Sequence, residues 1–171
     1  MLQEIAIGQR VFQIRAVKPE DNQDIRDIIL ETLVEYGAIG GGFASSDADT
    51  QRMYEAFQAE GRCYYVLEEA GQVMGGAGIA SLPGEPGTGE LVKMYFRPEV
   101  RGLGLGKQLL TLCLSEARKM GYRQVYLETL TQMTAARGLY EHLGFRQIGC
   151  PMGCTGHFSC NTFYLIELGI T

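Results

Sequence analysis

Apolar and polar residues alternate from Val11 to Val17, which predicts a first strand. Pro19-Glu20-Asp21 then sets a proline and two acids where a helix starts. Ile25, Ile28, Ile29, Leu33 and Tyr36 recur at helical spacing until Gly37 offers a C-cap. From Ile39 to Asp49 the periodicity lapses, and the glycines Gly40 to Gly42 predict a mobile loop. A second helix follows, with Met53, Ala56 and Phe57 on its inner face. Cys63–Glu68 and Gln72–Ser81 read as strands joined by the turn Glu69-Ala70-Gly71. Gly75, Gly76 and Gly78 in the second strand predict a close backbone approach or a bulge.

After a loop rich in proline and glycine, Leu82 to Gly89, a further strand runs from Glu90 to Phe96. Leu103, Leu109, Leu110, Cys113, Leu114 and Ala117 line one face of a helix that stops at Gly121. A strand around Val125, a helix from Gln132 to His142, and strands at Phe145–Gly149 and Thr162–Leu168 complete the chain. The order β-α-α-β-β-β-α-β-α-β-β fits a mixed α/β fold, a twisted mixed sheet flanked by helices. No linker or internal repeat interrupts it, so residues 1–171 are expected to form one domain.

Composition narrows the classes. Hydrophobic residues make up 46% and charged residues 20%, ordinary for a globular chain of 171 residues. No apolar run approaches a membrane span, and Met1-Leu2-Gln3-Glu4 lacks the basic and apolar regions of a signal peptide. A cytoplasmic protein is expected. A net charge of −5, without a basic cluster, argues against nucleic acid and suits a cationic small molecule. Cys150-x3-Cys154-x2-His157-x2-Cys160 contains zinc-type ligands, but eleven residues without paired knuckles favour reduced thiols and a pocket histidine. No metal is expected.

The chemistry concentrates at Arg101-Gly102-Leu103-Gly104-Leu105-Gly106-Lys107, between a strand and a helix. A glycine-rich turn opening a helix presents unpaired N–H groups and the positive end of the helix dipole, which together hold phosphate. A P-loop is excluded because Gln108 follows Lys107 and Arg101 stands five before Gly106. The dinucleotide pattern fails because Lys107 and Leu109 occupy the positions its last glycine needs. Arg101, Gly104 and Gly106 instead meet the pattern Arg/Gln-x-x-Gly-x-Gly/Ala.

With this turn, the chain resembles the GNAT superfamily of acetyl-CoA-dependent N-acetyltransferases. Gly89 to Val100, Val125 to Thr129 and Ala135 to Phe145 follow that family's motifs in order, over about half the chain. The resemblance implies a sheet whose central parallel strands splay apart. It implies acetyl-CoA as co-substrate, held by Met94, Tyr95, Phe96 and the turn Arg101 to Lys107. The family's asparagine early in the following helix is replaced by Thr131-Gln132-Met133-Thr134, where Gln132 can substitute.

Acetyl transfer to an amine requires a base, a polarised thioester carbonyl and a stabilised thiolate. The resemblance implies Glu90 as the base, against the plain alternative of an exposed strand end. An ordinary carboxylate is too weak for this, so a water chain or a pKa raised by burial is needed. The backbone N–H of Met94 or Tyr95 would polarise the carbonyl. Tyr140 is the implied acid, with a core tyrosine as the alternative. Tyr36, Phe43 and His157 fall where the family builds its acceptor pocket. His157 reads equally as a second base, a substrate ligand or a satisfied loop histidine.

The expected activity is direct acetyl transfer to the primary amine of a small molecule, such as an amino acid or polyamine. A protein N-terminus or lysine as acceptor, and a non-catalytic acyl-CoA-binding module, remain alternatives. A homodimer is compatible with the resemblance.

Overall fold

The computed structural model describes residues 3–169. Its strands are β1 (Gln3–Ile7), β2 (Arg10–Ala16), β3 (Cys63–Glu69), β4 (Gln72–Ser81), β5 (Thr88–Phe96), β6 (Gln124–Thr129), β7 (Arg146–Ile148) and β8 (Thr162–Glu167). They form one sheet in the order β1-β2-β3-β4-β5-β6-β8-β7. Only β5 and β6 run parallel; the other neighbours are antiparallel.

The four helices are α1 (Asn22–Glu35), α2 (Met53–Ala56), α3 (Leu105–Lys119) and α4 (Thr134–His142). Leu105, Leu109, Leu110, Cys113, Leu114 and Ala117 of α3 pack with Ile14, Leu67, Ile79, Leu91, Val125 and Leu127. On the opposite face, Ile25, Ile28, Ile29 and Leu33 of α1 pack with Met53, Tyr64, Val66 and Val73. The alternation along each strand thus divides the apolar residues between two layers.

β1 departs from the sequence reading, which began the sheet at Val11. Only Ile5 and Ile7 pack inward from this edge strand, too few to form a legible period. Helix α3 also starts at Leu105 rather than Leu103. Gly104 precedes it with φ +77°, a left-handed conformation that stops the helix extending further back.

The glycines of β4 shape the course of β5. The Tyr64 ring lies across Gly76 and Gly78, and its hydroxyl donates to the Lys93 carbonyl at 2.8 Å. A Cβ on Gly76 would lie 2.6 Å from that ring, so the bare backbone makes room for it. Opposite, the β4–β5 register slips between Gly76 and Gly78, and Lys93 takes φ +51°. This is a β-bulge, and it reverses the facing of the strand. Before it, Val92 packs on the α1 side and Leu91 on the α3 side; after it, Tyr95 faces α1 while Met94 and Phe96 face α3.

Gly78→Ala should destabilise the protein by about 1–3 kcal/mol, since its Cβ would meet the Cys63 backbone carbonyl at 2.5 Å. Thermal unfolding would read this as a fall of about 2–4 °C per kcal/mol. An unchanged midpoint would show that this strand contact is not tight.

β5 and β6 pair only through Thr88↔Gln124, Gly89↔Val125 and Glu90↔Tyr126. β5 nevertheless continues to Phe96 and β6 to Thr129. The two strands therefore part just after Glu90, leaving a gap at the centre of the sheet.

Candidate active site

Three cavities that share lining residues lie in and beside this gap. The largest, about 300 Å³, is a cleft between Met94, Tyr95 and Phe96 on one side and Ala136, Leu139 and Tyr140 on the other. Arg101, Gly102, Gly104, Gly106 and Lys107 close its outer end. Gly102 and Gly104 have open space where a side chain would stand, and φ values of +76° and +77°. Glycine there lets the chain turn and leaves the first N–H groups of α3 accessible.

Arg101 braces this turn. Its Nε donates to the Phe96 carbonyl at 2.8 Å, and its Nη1 donates to Glu35 Oε1 at 2.7 Å, which ties the turn to the end of α1. Lys107 is exposed beside His142, with Nζ 3.2 Å from Nε2. Leu105 is buried in the α3 core and Leu103 packs against it, so from these two positions only the backbone remains for a ligand. Gln132 is exposed and lies outside the cleft lining; its amide donates to the Tyr36 carbonyl at 3.1 Å. Tyr36 lines this cleft beside Arg101, away from the chamber that holds Phe43 and His157.

Inward lies a chamber of about 70 Å³, bounded by Phe43, Glu90, Lys93, Glu128, Tyr140, His157 and Cys160. Tyr140 lines both it and the cleft. Among the described residues its hydroxyl makes no hydrogen bond, and burial pushes its pKa up, so it stays protonated. Its ring is held 5.9 Å from Phe145 and 6.0 Å from Tyr164. The ring is thus core, as the plain reading expected, and the hydroxyl borders open space.

Glu90 is 7% exposed, not the open strand end that the plain alternative supposed. Burial pushes its pKa up to about 7; the His157 charge opposes this and the Glu128 charge adds to it. Such a carboxyl can accept a proton near neutral pH.

Around Glu90 the bulge and two loops assemble further ionic groups. Asp47 accepts from Lys93 Nζ, and His157 Nε2 lies 3.1 and 3.0 Å from its two oxygens. Burial pushes Asp47 upward, but the His157 and Lys93 contacts outweigh it and hold the carboxylate below its ordinary range. The Asp47 hydrogen bond in turn raises His157. Burial lifts Cys160 to about 12, so it remains a thiol. Cys150 and Cys154 are exposed. Among the described residues no group of three or more His, Cys, Asp or Glu side chains is placed to hold a metal ion.

A third, outer cavity of about 160 Å³ shares Glu90, Val92, Lys93 and His157 with the chamber and adds Asp49, Arg62 and Thr155. The cleft thus meets the chamber at Tyr140, and the outer cavity meets it at Glu90.

Comparison with known proteins decides the family. The model of the acetyltransferase (GNAT) family matches residues 23–145. The chain belongs to the GNAT acetyltransferase family. It is 41% identical to the uncharacterized N-acetyltransferase YjgM of Escherichia coli (strain K12), over 91% of this chain and 94% of that protein. It is 33% identical to the uncharacterized N-acetyltransferase C1271.07c of Schizosaccharomyces pombe (strain 972 / ATCC 24843), over 79% and 83%.

Among solved structures, a GNAT-family acetyltransferase from Staphylococcus aureus Mu50 superposes with a TM-score of 0.82 at 20% identity, covering 92% of this chain and 99% of that one. The protein yncA from Salmonella typhimurium, whose structure holds its cofactor acetyl-CoA, has a TM-score of 0.74 at 28% identity, covering 92% and 94%. The GNAT chain is thus an acetyl-CoA-dependent N-acetyltransferase. Its cleft suits that co-substrate: a glycine turn at the N-terminus of α3 for the pyrophosphate, and a strand gap for the extended arm.

Lys93, Asp47 and Glu128 were not among the site residues anticipated from sequence, and Cys160 was read there only as a reduced thiol. The strand Val125-Tyr126-Leu127-Glu128-Thr129 alternates, so Glu128 is legible as sharing a face with Tyr126 and opposing Leu127. No comparable signal marks Asp47 in an aperiodic loop, or Lys93 at a bulge.

Proposed function

We propose that the enzyme, with the whole chain as one catalytic unit, transfers acetyl from acetyl-CoA directly to the primary amine of a small molecule. The carrying observation is the small chamber, about 70 Å³, between the cleft and the outer cavity, which Glu90 and Tyr140 both line. So confined a chamber fits a compact amine better than a folded protein surface. Acetyl-CoA supplies the activated acetyl thioester. Glu90 takes the proton that the attacking ammonium must lose. The N–H groups of the Met94–Tyr95 stretch, freed where β5 leaves β6, receive the charge that develops on the carbonyl oxygen. Tyr140 hydrogen-bonds the departing sulfur. Met94 to Phe96 and the turn from Arg101 to Lys107 hold the co-substrate, with Tyr36 at the cleft edge. Phe43 and His157 border the acceptor.

A covalent acyl-cysteine route is disfavoured, because burial keeps Cys160 and Cys113 protonated. The test is thiol release from acetyl-CoA across a panel of small primary amines and a panel of lysine peptides. Turnover with small amines, giving intersecting initial-velocity lines, is the expected result. Turnover confined to peptides, or parallel lines with an acetylated enzyme seen by intact mass, would overturn the proposal.

A further inference from the structure

Glu128 carries an unexplained oxygen. Its side chain is 4% exposed, and Oε2 is the one buried side-chain oxygen or nitrogen without a hydrogen-bond partner among the described residues. Its other oxygen is fully used: Tyr126 Oη donates to Oε1 at 2.8 Å and Thr155 Oγ1 at 3.0 Å. Tyr126 in turn accepts from the Met152 amide at 3.2 Å, which fixes the carboxylate's orientation. The nearest cation, His157 Nδ1, stands 3.8 Å from Oε2, beyond hydrogen-bond reach. A buried acceptor left unpaired costs about 1–3 kcal/mol, and more when charged, so a position held this firmly calls for a donor from elsewhere.

The surroundings describe that donor. Glu128 lines the chamber with Glu90, and the register Glu90↔Tyr126 sets both carboxyls on the same face of neighbouring strands. With Glu90 ionised, as the base must be, and His157 protonated, the carboxylates Asp47, Asp49, Glu90 and Glu128 of the chamber and its outer cavity outnumber the cations Arg62, Lys93 and His157 by one. Arg62 is paired with Asp49 at 3.0 Å, and Lys93 with Asp47. A single positive charge entering the chamber balances the site. A second one, reaching into the outer cavity, would meet Arg62, Lys93 and His157.

We propose that Glu128 is a binding residue for the acceptor, its Oε2 accepting a hydrogen bond from the ammonium of a small monoamine whose far end is neutral or anionic. The ammonium is thereby held beside Glu90 for proton removal. This inference rests on the small-amine reading above and selects the monocationic members of that class.

The test uses ligand-observed NMR on the full-length enzyme saturated with coenzyme A, with propylamine, propan-1-ol and 1,3-diaminopropane as probes. Glu128→Gln keeps the shape. Tyr126 and Thr155 hold the amide oxygen in place of Oε1, so the NH2 group, a donor, takes the place of Oε2. Wild type should bind propylamine at least tenfold more tightly than the alcohol or the diamine, and E128Q should lose that preference while still binding coenzyme A. Unchanged propylamine binding in E128Q, alongside amine-dependent thiol release by wild type, would remove Glu128 and leave the small-amine reading standing. No propylamine binding and no amine turnover by wild type would overturn both. Should E128Q fail to fold, wild type still decides: amine, alcohol and diamine binding alike would sink the proposal.

Discussion

Replacing Glu90 with glutamine is expected to lower kcat by about 10²–10⁴-fold, the range supplied by a positioned general base. The pH dependence carries more information than the loss. With its pKa raised to about 7 by burial, Glu90 is half protonated at neutrality, and kcat/KM in wild type should climb as pH rises through about 7. E90Q should lack that rise. Stability runs the other way. A carboxyl whose folded pKa exceeds its unfolded value of about 4.5 imposes no penalty below pH 4.5. The penalty for burying its charge grows as pH rises towards 7 and is complete above it. Wild type therefore loses on the order of 3 kcal/mol from this group over that window. E90Q should be spared that loss, unfolding at a higher temperature than wild type at pH 8 while being far less active. A variant that is inactive and also less stable at pH 8 would indicate collapse of the chamber, and a structural role for Glu90.

Tyr140→Phe removes one oxygen that has no protein partner among the described residues, while keeping the ring between Phe145 and Tyr164. Stability and acetyl-CoA affinity should hardly change, whereas kcat should fall about 100-fold. The defect should depend on the leaving group. An acetyl thioester of a more acidic thiol needs less help as it departs, so the gap between variant and wild type should narrow with it. An equal deficit for both thioesters would place Tyr140 in substrate positioning and not in leaving-group stabilisation.

Much of the fold was legible because its layers are written as alternation. Leu91, Val125 and Leu127 on one face, and the α3 run from Leu105 to Ala117, show their periods directly. The glycine turn was legible for a different reason: few residue types allow φ near +77° at Gly102 and Gly104, so the constraint is visible in composition. β1 escaped because an edge strand needs only two inward residues. The ionic part of the site escaped because its members meet only after folding. Asp47 and His157 are 110 residues apart, and Lys93 reaches them only through a conformation at φ +51° that its own sequence does not advertise. The anticipated acceptor position of Tyr36 came from its place after α1. The Arg101–Glu35 bridge instead draws the end of that helix towards the glycine turn.

The bulge at Lys93 gives one strand two frames of address. Upstream, Glu90 and Val92 line the chamber and the outer cavity proposed for the amine. Downstream, Met94 to Phe96 line the cleft proposed for the co-substrate, half a pleat out of step. On the proposed function, substitutions in the first frame are expected to retune which amine is accepted without shifting the backbone proposed to meet the thioester. A chain built this way can change customers while keeping its donor, and a one-residue deletion at the bulge would merge the two frames and lose both.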